Sequence, residues 1–454
     1  MGLKSINPCD GTLLKEFEPW QASQIEDVLQ GVAVAAPAWA ATEVAQRCRL
    51  MGNAAQVLRN NQEKLARTIT LEMGKLLKEA RGEIEKCAWV CDYYAEHGPS
   101  FIADEPIETD AGRSLVAYQP LGTVLAVMPW NFPFWQVFRF AAPALVGGNA
   151  GLLKHAANVP QCALAIEQVF REAGLPSGVF RSLLIRSEQV QKVIEDPRVH
   201  AVTLTGSEAA GRKVAAAAGA SLKKTVLELG GSDAFVVLED ADLDWAVKNA
   251  AASRFLNAGQ SCIAAKRFIV AEAVADRFLE GFKHAVEALH PGDPLDEATT
   301  LAPMARHDLL DELHHQVADS IGQGAVPVTG CEPLPGPGAF YRPSILDGVS
   351  AGMRAYAEEL FGPVASVIRA RDESDAVRLA NDNRYGLGAS VWTRDSERGE
   401  RVARRLQAGA VFVNGMVKSD PRLPFGGIKA SGYGRELSHN GIREFLNAKT
   451  LWIK

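Results

Sequence analysis

The chain has 454 residues, 47% apolar and 22% charged, the balance of a globular protein large enough for two or three buried cores. Its formal charge of −6 carries no extended run of either sign, which predicts no nucleic-acid partner. No uninterrupted apolar stretch of about 18 residues occurs, which predicts no membrane partner. The opening Met1-Gly2-Leu3-Lys4-Ser5-Ile6 lacks a signal-peptide core, and Ile6 breaks the N-myristoylation pattern. Seven cysteines without a tight framework predict a reducing setting and a cytoplasmic location. Cys87 and Cys91 are spaced to share a helix face. With no second Cys/His pair at ligand spacing, they read as buried helix residues and predict no metal.

The first hundred residues read as mainly helical, with apolar residues at three- and four-residue spacing over 44–60 and 62–73. Segments 113–118 and 123–128 read as strands around a Pro120-Leu121-Gly122 turn. From about 149 strands and helices alternate: strand 150–154, helix 160–173, strand 179–184, helix 188–195, strand 201–205, helix 208–218, strand 225–229. After Gly230-Gly231 the alternation resumes with strand 234–238, helix 243–255, strand 266–270 and helix 275–289. Short links between alternating elements predict parallel strands, right-handed crossovers and doubly wound α/β sheets. Ligands in such sheets bind beyond the carboxyl ends of the strands. The tail over 445–453 reads as a strand. His314-His315 falls in a polar helical stretch and reads as surface.

Three polar side chains stand in distinctive segments. Asn131 lies in Pro129-Trp130-Asn131-Phe132-Pro133, Glu228 in Leu227-Glu228-Leu229-Gly230-Gly231, and Cys262 in Asn257-Ala258-Gly259-Gln260-Ser261-Cys262. A thiol can attack a carbonyl, a carboxylate can activate water, and an amide can hold an oxyanion. Read alone, each has a plainer role: a buried thiol, a helix cap, a turn. A fourth segment, Thr205-Gly206-Ser207 with Gly211 beyond, joins a strand to a helix. It reads either as a capped helix or as an anion site.

Together with Glu358-Glu359-Leu360-Phe361-Gly362-Pro363-Val364 and Pro424-Phe425-Gly426-Gly427-Ile428-Lys429, these segments resemble the aldehyde dehydrogenase superfamily from about residue 5 to the C-terminus. The resemblance implies two doubly wound parallel-sheet domains and a small β oligomerisation arm. It implies a dinucleotide-binding domain over 1–105 and 120–229, a catalytic domain over 230–432, and an arm over 106–119 and 433–454. A homodimer or homotetramer is expected. The implied catalytic residues are Cys262 as nucleophile, Glu228 as base and Asn131 as oxyanion donor. The implied cofactor residues are Trp130, Lys154, Gly206, Ser207, Gly211, Glu359 and Phe361, for NAD or NADP. Ala157 stands where many NAD-preferring relatives carry a ribose-binding Glu, so tolerance of NADP is expected.

Local sequence looks most like short bacterial succinate-semialdehyde dehydrogenases, notably Lys154-His155-Ala156-Ala157-Asn158-Val159 and Ala264-Ala265-Lys266-Arg267-Phe268. That branch implies a small aldehyde substrate with a distal carboxylate. Arg139 is the implied carboxylate-binding residue, with Ser419 as a weaker contact. Lys418 and Arg422 are nearby cations without an assigned role. Leu256 stands where larger relatives place a second arginine, and Arg254 is two residues off. The alternatives are a broad aliphatic or glutarate-semialdehyde dehydrogenase and a non-catalytic member of the fold.

Overall fold

The structure is a computed structural model that describes residues 2–454. Two α/β units form the body. The first holds a six-stranded sheet in the order Gly432–Tyr433, Lys224–Glu228, Ala201–Thr205, Thr123–Met128, Ala150–His155, Phe180–Ser182. All neighbours are parallel except the Gly432–Tyr433 edge. The second holds seven strands in the order Val326–Thr329, Ser344–Asp347, Val364–Ala370, Ala265–Ala271, Asp233–Val237, Gly388–Trp392, Ala410–Val413. Only Val326–Thr329 runs antiparallel there. The central strands are buried along their whole length, as unbroken apolar runs such as Phe235-Val236-Val237 require of a sheet covered on both faces.

The chain leaves the first sheet at Glu228 and enters the second at Asp233, with Gly230-Gly231 between. It returns late, when Gly432 pairs with Glu228 and Tyr433 with Leu227. The arm is a three-stranded antiparallel sheet in which Leu446–Ile453 pairs along its full length with Arg113–Pro120, and Glu105–Pro106 joins the far side. The expected arm boundary at 433 is therefore corrected. Tyr433 belongs to the first sheet, and helix Ser438–Arg443 is tied to the body by Arg443 Nε donating to the Phe101 carbonyl at 2.8 Å. Strand 179–184 contracts to Phe180–Ser182, and helix 188–195 opens with a 3₁₀ turn over Ser187–Gln189.

Two buried carboxylates aim helices of the first unit. Glu72 accepts from the Gln161 and Cys162 amides at 2.9 and 2.8 Å, at the start of helix Pro160–Glu172. Glu83 accepts from the Phe134 and Trp135 amides at 2.8 and 3.0 Å, at the start of helix Trp135–Val146. Each satisfies donors that a helix start leaves without intrahelical partners. The second matters for function, because Trp135–Val146 follows directly on the Asn131 turn. Cys87 and Cys91 are fully buried in helix Leu77–Phe101, and no metal-binding cluster occurs among the described residues. No single helix among them is long and apolar enough to cross a membrane.

Candidate active site

Cys262 follows a turn in which Asn257, Ala258 and Gly259 all adopt left-handed backbone, at φ 53, 52 and 75°. Such geometry costs about 1–2 kcal/mol for each residue that carries a Cβ, so surrounding contacts must impose it. Asn257 Nδ2 donates to the carbonyls of Asn131 and Gln260 at 2.8 and 3.1 Å. Gln260 Oε1 accepts from the Ala305 amide at 2.9 Å. Lys266 Nζ gathers the carbonyls of Ser261 and Cys262, each at 2.8 Å. Arg254 lies wholly buried beneath the loop, donating to the carbonyls of Ala265 at 3.1 Å, Gly259 at 2.8 Å and Leu360 at 3.2 Å. It braces the loop backbone and is not presented to a ligand.

Asn131 is buried and donates one amide hydrogen to the Gln260 carbonyl at 3.1 Å. That bond anchors the side chain beside the nucleophile loop and leaves its second N–H for another acceptor. The Cys262 backbone N–H also has no acceptor among the described residues. The thiol is half-buried, and burial pushes its pKa up to about 12, against a pull downward from Arg139 and Lys266. Activation thus needs further positive charge beside the sulfur.

Glu228 is 2% exposed, and neither carboxylate oxygen has a hydrogen-bond partner in the protein. Burial raises its pKa to about 8; Arg139 opposes the shift and Glu436 adds to it. A carboxyl that titrates near neutrality is suited to accept a proton from water. Gly426 makes room for it: its φ is 155°, and a Cβ there would lie 2.8 Å from Glu228 Oε1. The Pro-Phe-Gly-Gly segment therefore shapes the base's surroundings.

Some of the expected cofactor residues meet where the two units touch. Trp130 and Phe361 meet edge to face at 5.8 Å. Glu359 Oε1 accepts from the Gly231 amide at 3.0 Å and lies 3.3 Å from Lys266 Nζ. A Cβ at Gly231 would lie 2.8 Å from the Cys262 carbonyl, which explains glycine at this crossing. Lys266 thus ties the Glu359 carboxylate to the nucleophile loop, a role that the sequence reading missed. Gly206 donates its amide to the Glu228 carbonyl at 3.0 Å, and Ser207 Oγ caps helix Glu208–Ala220 by accepting from Ala210. Gly211 packs tightly, since a Cβ there would lie 2.5 Å from Leu229 Cδ2. Lys154 is buried at a parallel strand's carboxyl end, and no acceptor for its ammonium occurs among the described residues. Ala157, three residues on, is exposed.

A cavity of about 310 Å³ opens against Cys262, walled by Phe132, Trp135, Leu256, Ile263 and Phe425. Leu256 faces it, so the position of the absent second arginine is apolar. Arg139 and Ser419 also line it, as does Lys86, which the sequence reading did not single out. Arg139, the expected carboxylate-binding residue, is also engaged within the protein. Its guanidinium is buried in an ion pair with Glu436, donates to Thr205 Oγ1 at 3.2 Å, and stacks 4.5 Å from the Phe425 ring centroid. Glu436 is thus its ion-pair partner, while the guanidinium still acts on Cys262 and Glu228. Arg139→Ala leaves Glu436 buried and unpaired, and is expected to destabilise the fold by about 3–5 kcal/mol, read as a fall in Tm. An unchanged Tm with KM raised only for carboxylated aldehydes would support the expected role instead.

A thiol on a braced loop, an anchored amide and a buried, unpaired carboxylate suit an oxidoreductase. The chain belongs to the aldehyde dehydrogenase family, whose model matches residues 1–451. It is 49% identical over 453 residues to a probable NADP+ succinate-semialdehyde dehydrogenase of Synechocystis, covering 100% of both chains. It is also 49% identical to an NAD(P)+ succinate semialdehyde dehydrogenase of Escherichia coli K12, over 99% of this chain and 97% of that one. The fold matches succinic semialdehyde dehydrogenase from Streptococcus pyogenes in complex with NADP+, with a TM-score of 0.97, 39% identity and 99% of each chain covered.

Proposed function

We propose that this protein oxidises succinate semialdehyde to succinate, using NADP+ or NAD+. The carrying observation is the cavity that places Cys262 beside apolar walls and polar side chains that include Lys86, Arg139 and Ser419. The experiment is a substrate panel with both cofactors, followed through reduced-nicotinamide absorbance. Preference for the four-carbon semialdehyde over uncharged aldehydes supports the reading, and no preference rejects it.

Cys262 adds to the aldehyde carbon, and the oxygen of the thiohemiacetal takes the free Asn131 N–H and the Cys262 backbone N–H. When bound, the nicotinamide supplies the hydride acceptor and a positive charge near the sulfur. Glu228 takes a proton from water, which then cleaves the Cys262 thioester and releases the carboxylic acid. Lys266 holds the carbonyls around the sulfur, so the nucleophile stays aimed between turnovers.

The dinucleotide fits the first unit. Lys154 offers a buried ammonium without an acceptor, and the Gly206-Ser207 turn opens a helix start. Glu359 lies where the two units touch, with Trp130 and Phe361 beside it. In this reading the six-stranded unit holds the cofactor and the seven-stranded unit carries the nucleophile. Ala157 leaves the neighbourhood of Lys154 without a carboxylate at that position, which favours a 2′-phosphate. Ala157→Glu is expected to lower kcat/KM for NADP+ at least about tenfold relative to NAD+. An unchanged ratio of the two cofactors would remove Ala157 from the account.

Leu446–Ile453 is an edge strand with Leu451, Trp452 and Ile453 exposed. An unpaired apolar edge of this kind suits association with further copies of the chain, as a homodimer or homotetramer. Seven free cysteines fit a reducing, cytoplasmic setting.

A further inference from the structure

Resting on the reading of the substrate as a carboxylated aldehyde, we infer that Lys86 is a cation that holds the distal carboxylate. Lys86 projects from helix Leu77–Phe101 into the cavity that Cys262 lines. Its Nζ donates to Ser419 Oγ at 2.7 Å and lies 4.2 Å from the Trp135 ring centroid. These contacts fix the ammonium on one wall without cancelling its charge. Among the described residues, no carboxylate lies within salt-bridge distance of it. The two fully buried cations of the wall are already matched, Lys75 with Glu83 and Arg139 with Glu436. Lys418 is exposed at the rim, where water and salt screen it. Glu79 also lines the cavity, without an ion-pair partner among the described residues, and burial raises its pKa toward the neutral acid. Lys86 therefore holds positive charge without a carboxylate in contact, in a largely apolar cavity, and such charge favours an anion. The ammonium takes one carboxylate oxygen and the Ser419 hydroxyl donates to the other.

The surroundings make this charge titratable. Burial pulls the Lys86 pKa down to about 8, and Arg139 on helix Trp135–Val146 pushes the same way. Glu83 and Cys87 on its own helix, and Asp420 on the facing segment, oppose the shift. Glu83 is engaged by Lys75, and Asp420 by Arg422 at 2.7 Å. The charge is thus present at neutral pH and is lost as pH rises through about 8. A bound carboxylate favours the charged form.

The test compares kcat/KM for succinate semialdehyde with that for butanal, in wild type, Lys86→Met and Lys86→Arg, each with saturating cofactor. Taking the ratio of the two aldehydes cancels effects on the common chemistry. In Lys86→Met the ratio is expected to fall at least about tenfold. In wild type it declines above pH about 8, whereas in Lys86→Arg it stays flat, because a guanidinium keeps its charge there. A wild type that prefers the semialdehyde and a Lys86→Met variant that keeps that preference would overturn the assignment while leaving the substrate reading intact. A wild-type ratio near one at every pH removes the substrate reading and the assignment with it. Should Lys86→Met fail to fold, the pH profile of Lys86→Arg decides: a ratio that still declines through about 8 overturns the assignment.

Discussion

Glu228→Gln is expected to retain a first-turnover burst of reduced nicotinamide while steady-state turnover falls by about 10²–10⁴-fold. The amide cannot accept a proton from water, so the thioester accumulates on Cys262. In wild type, the hydrolytic step should quicken as pH rises through about 8, where the buried carboxyl ionises. The same shift bears on stability. Unfolded, this carboxyl ionises near 4.5, but folded it keeps its proton to about 8. The native state binds more protons across that window, so the group's contribution to stability declines as pH rises from 4.5 to 8. Gln has no charge to desolvate, so the variant should melt above wild type at pH 8, with the difference shrinking toward pH 4.5. Rapid-quench kinetics and calorimetry check the two halves. Equal loss of burst and turnover would mean that Glu228 acts before the thioester forms.

Cys262→Ala is expected to abolish burst and turnover together, by about 10⁴-fold or more. It is the only one of the seven thiols that lines the cavity. Because burial holds its pKa near 12, alkylation by iodoacetamide at neutral pH should be slow in the free protein. Oxidised cofactor should speed it by bringing positive charge beside the sulfur. Peptide mapping after timed labelling measures this. Substantial turnover in the alanine variant would assign the attack elsewhere.

Much of the fold was legible because the parallel strands are short, apolar and punctuated. Strands 123–128 and 201–205 and helices 44–60, 62–73 and 243–255 end where their residues say they should. Helix Trp135–Val146 gave no periodic signal because all twelve of its residues are buried, leaving no polar face to mark a period. The triad lay in motifs and was nameable from them. The ion pair of Arg139 was not, because its partner Glu436 arrives only when the chain returns to the first sheet. Lys86 was hidden for a related reason: a lysine on an amphipathic helix looks like solvated surface until another segment, here the one bearing Ser419, folds over it. The packing of Gly211 against Leu229 was likewise not readable from its turn alone.

That late return has a consequence for assembly. Gly432 closes on the strand that ends in Glu228, and Glu436 pairs with Arg139, so the surroundings of Glu228 are completed by a segment far along the chain. A nascent chain already carrying Asn131, Glu228 and Cys262 still lacks a finished catalytic centre. The environment of the Glu228 carboxyl therefore rests on long-range closure of the chain rather than on its own neighbourhood.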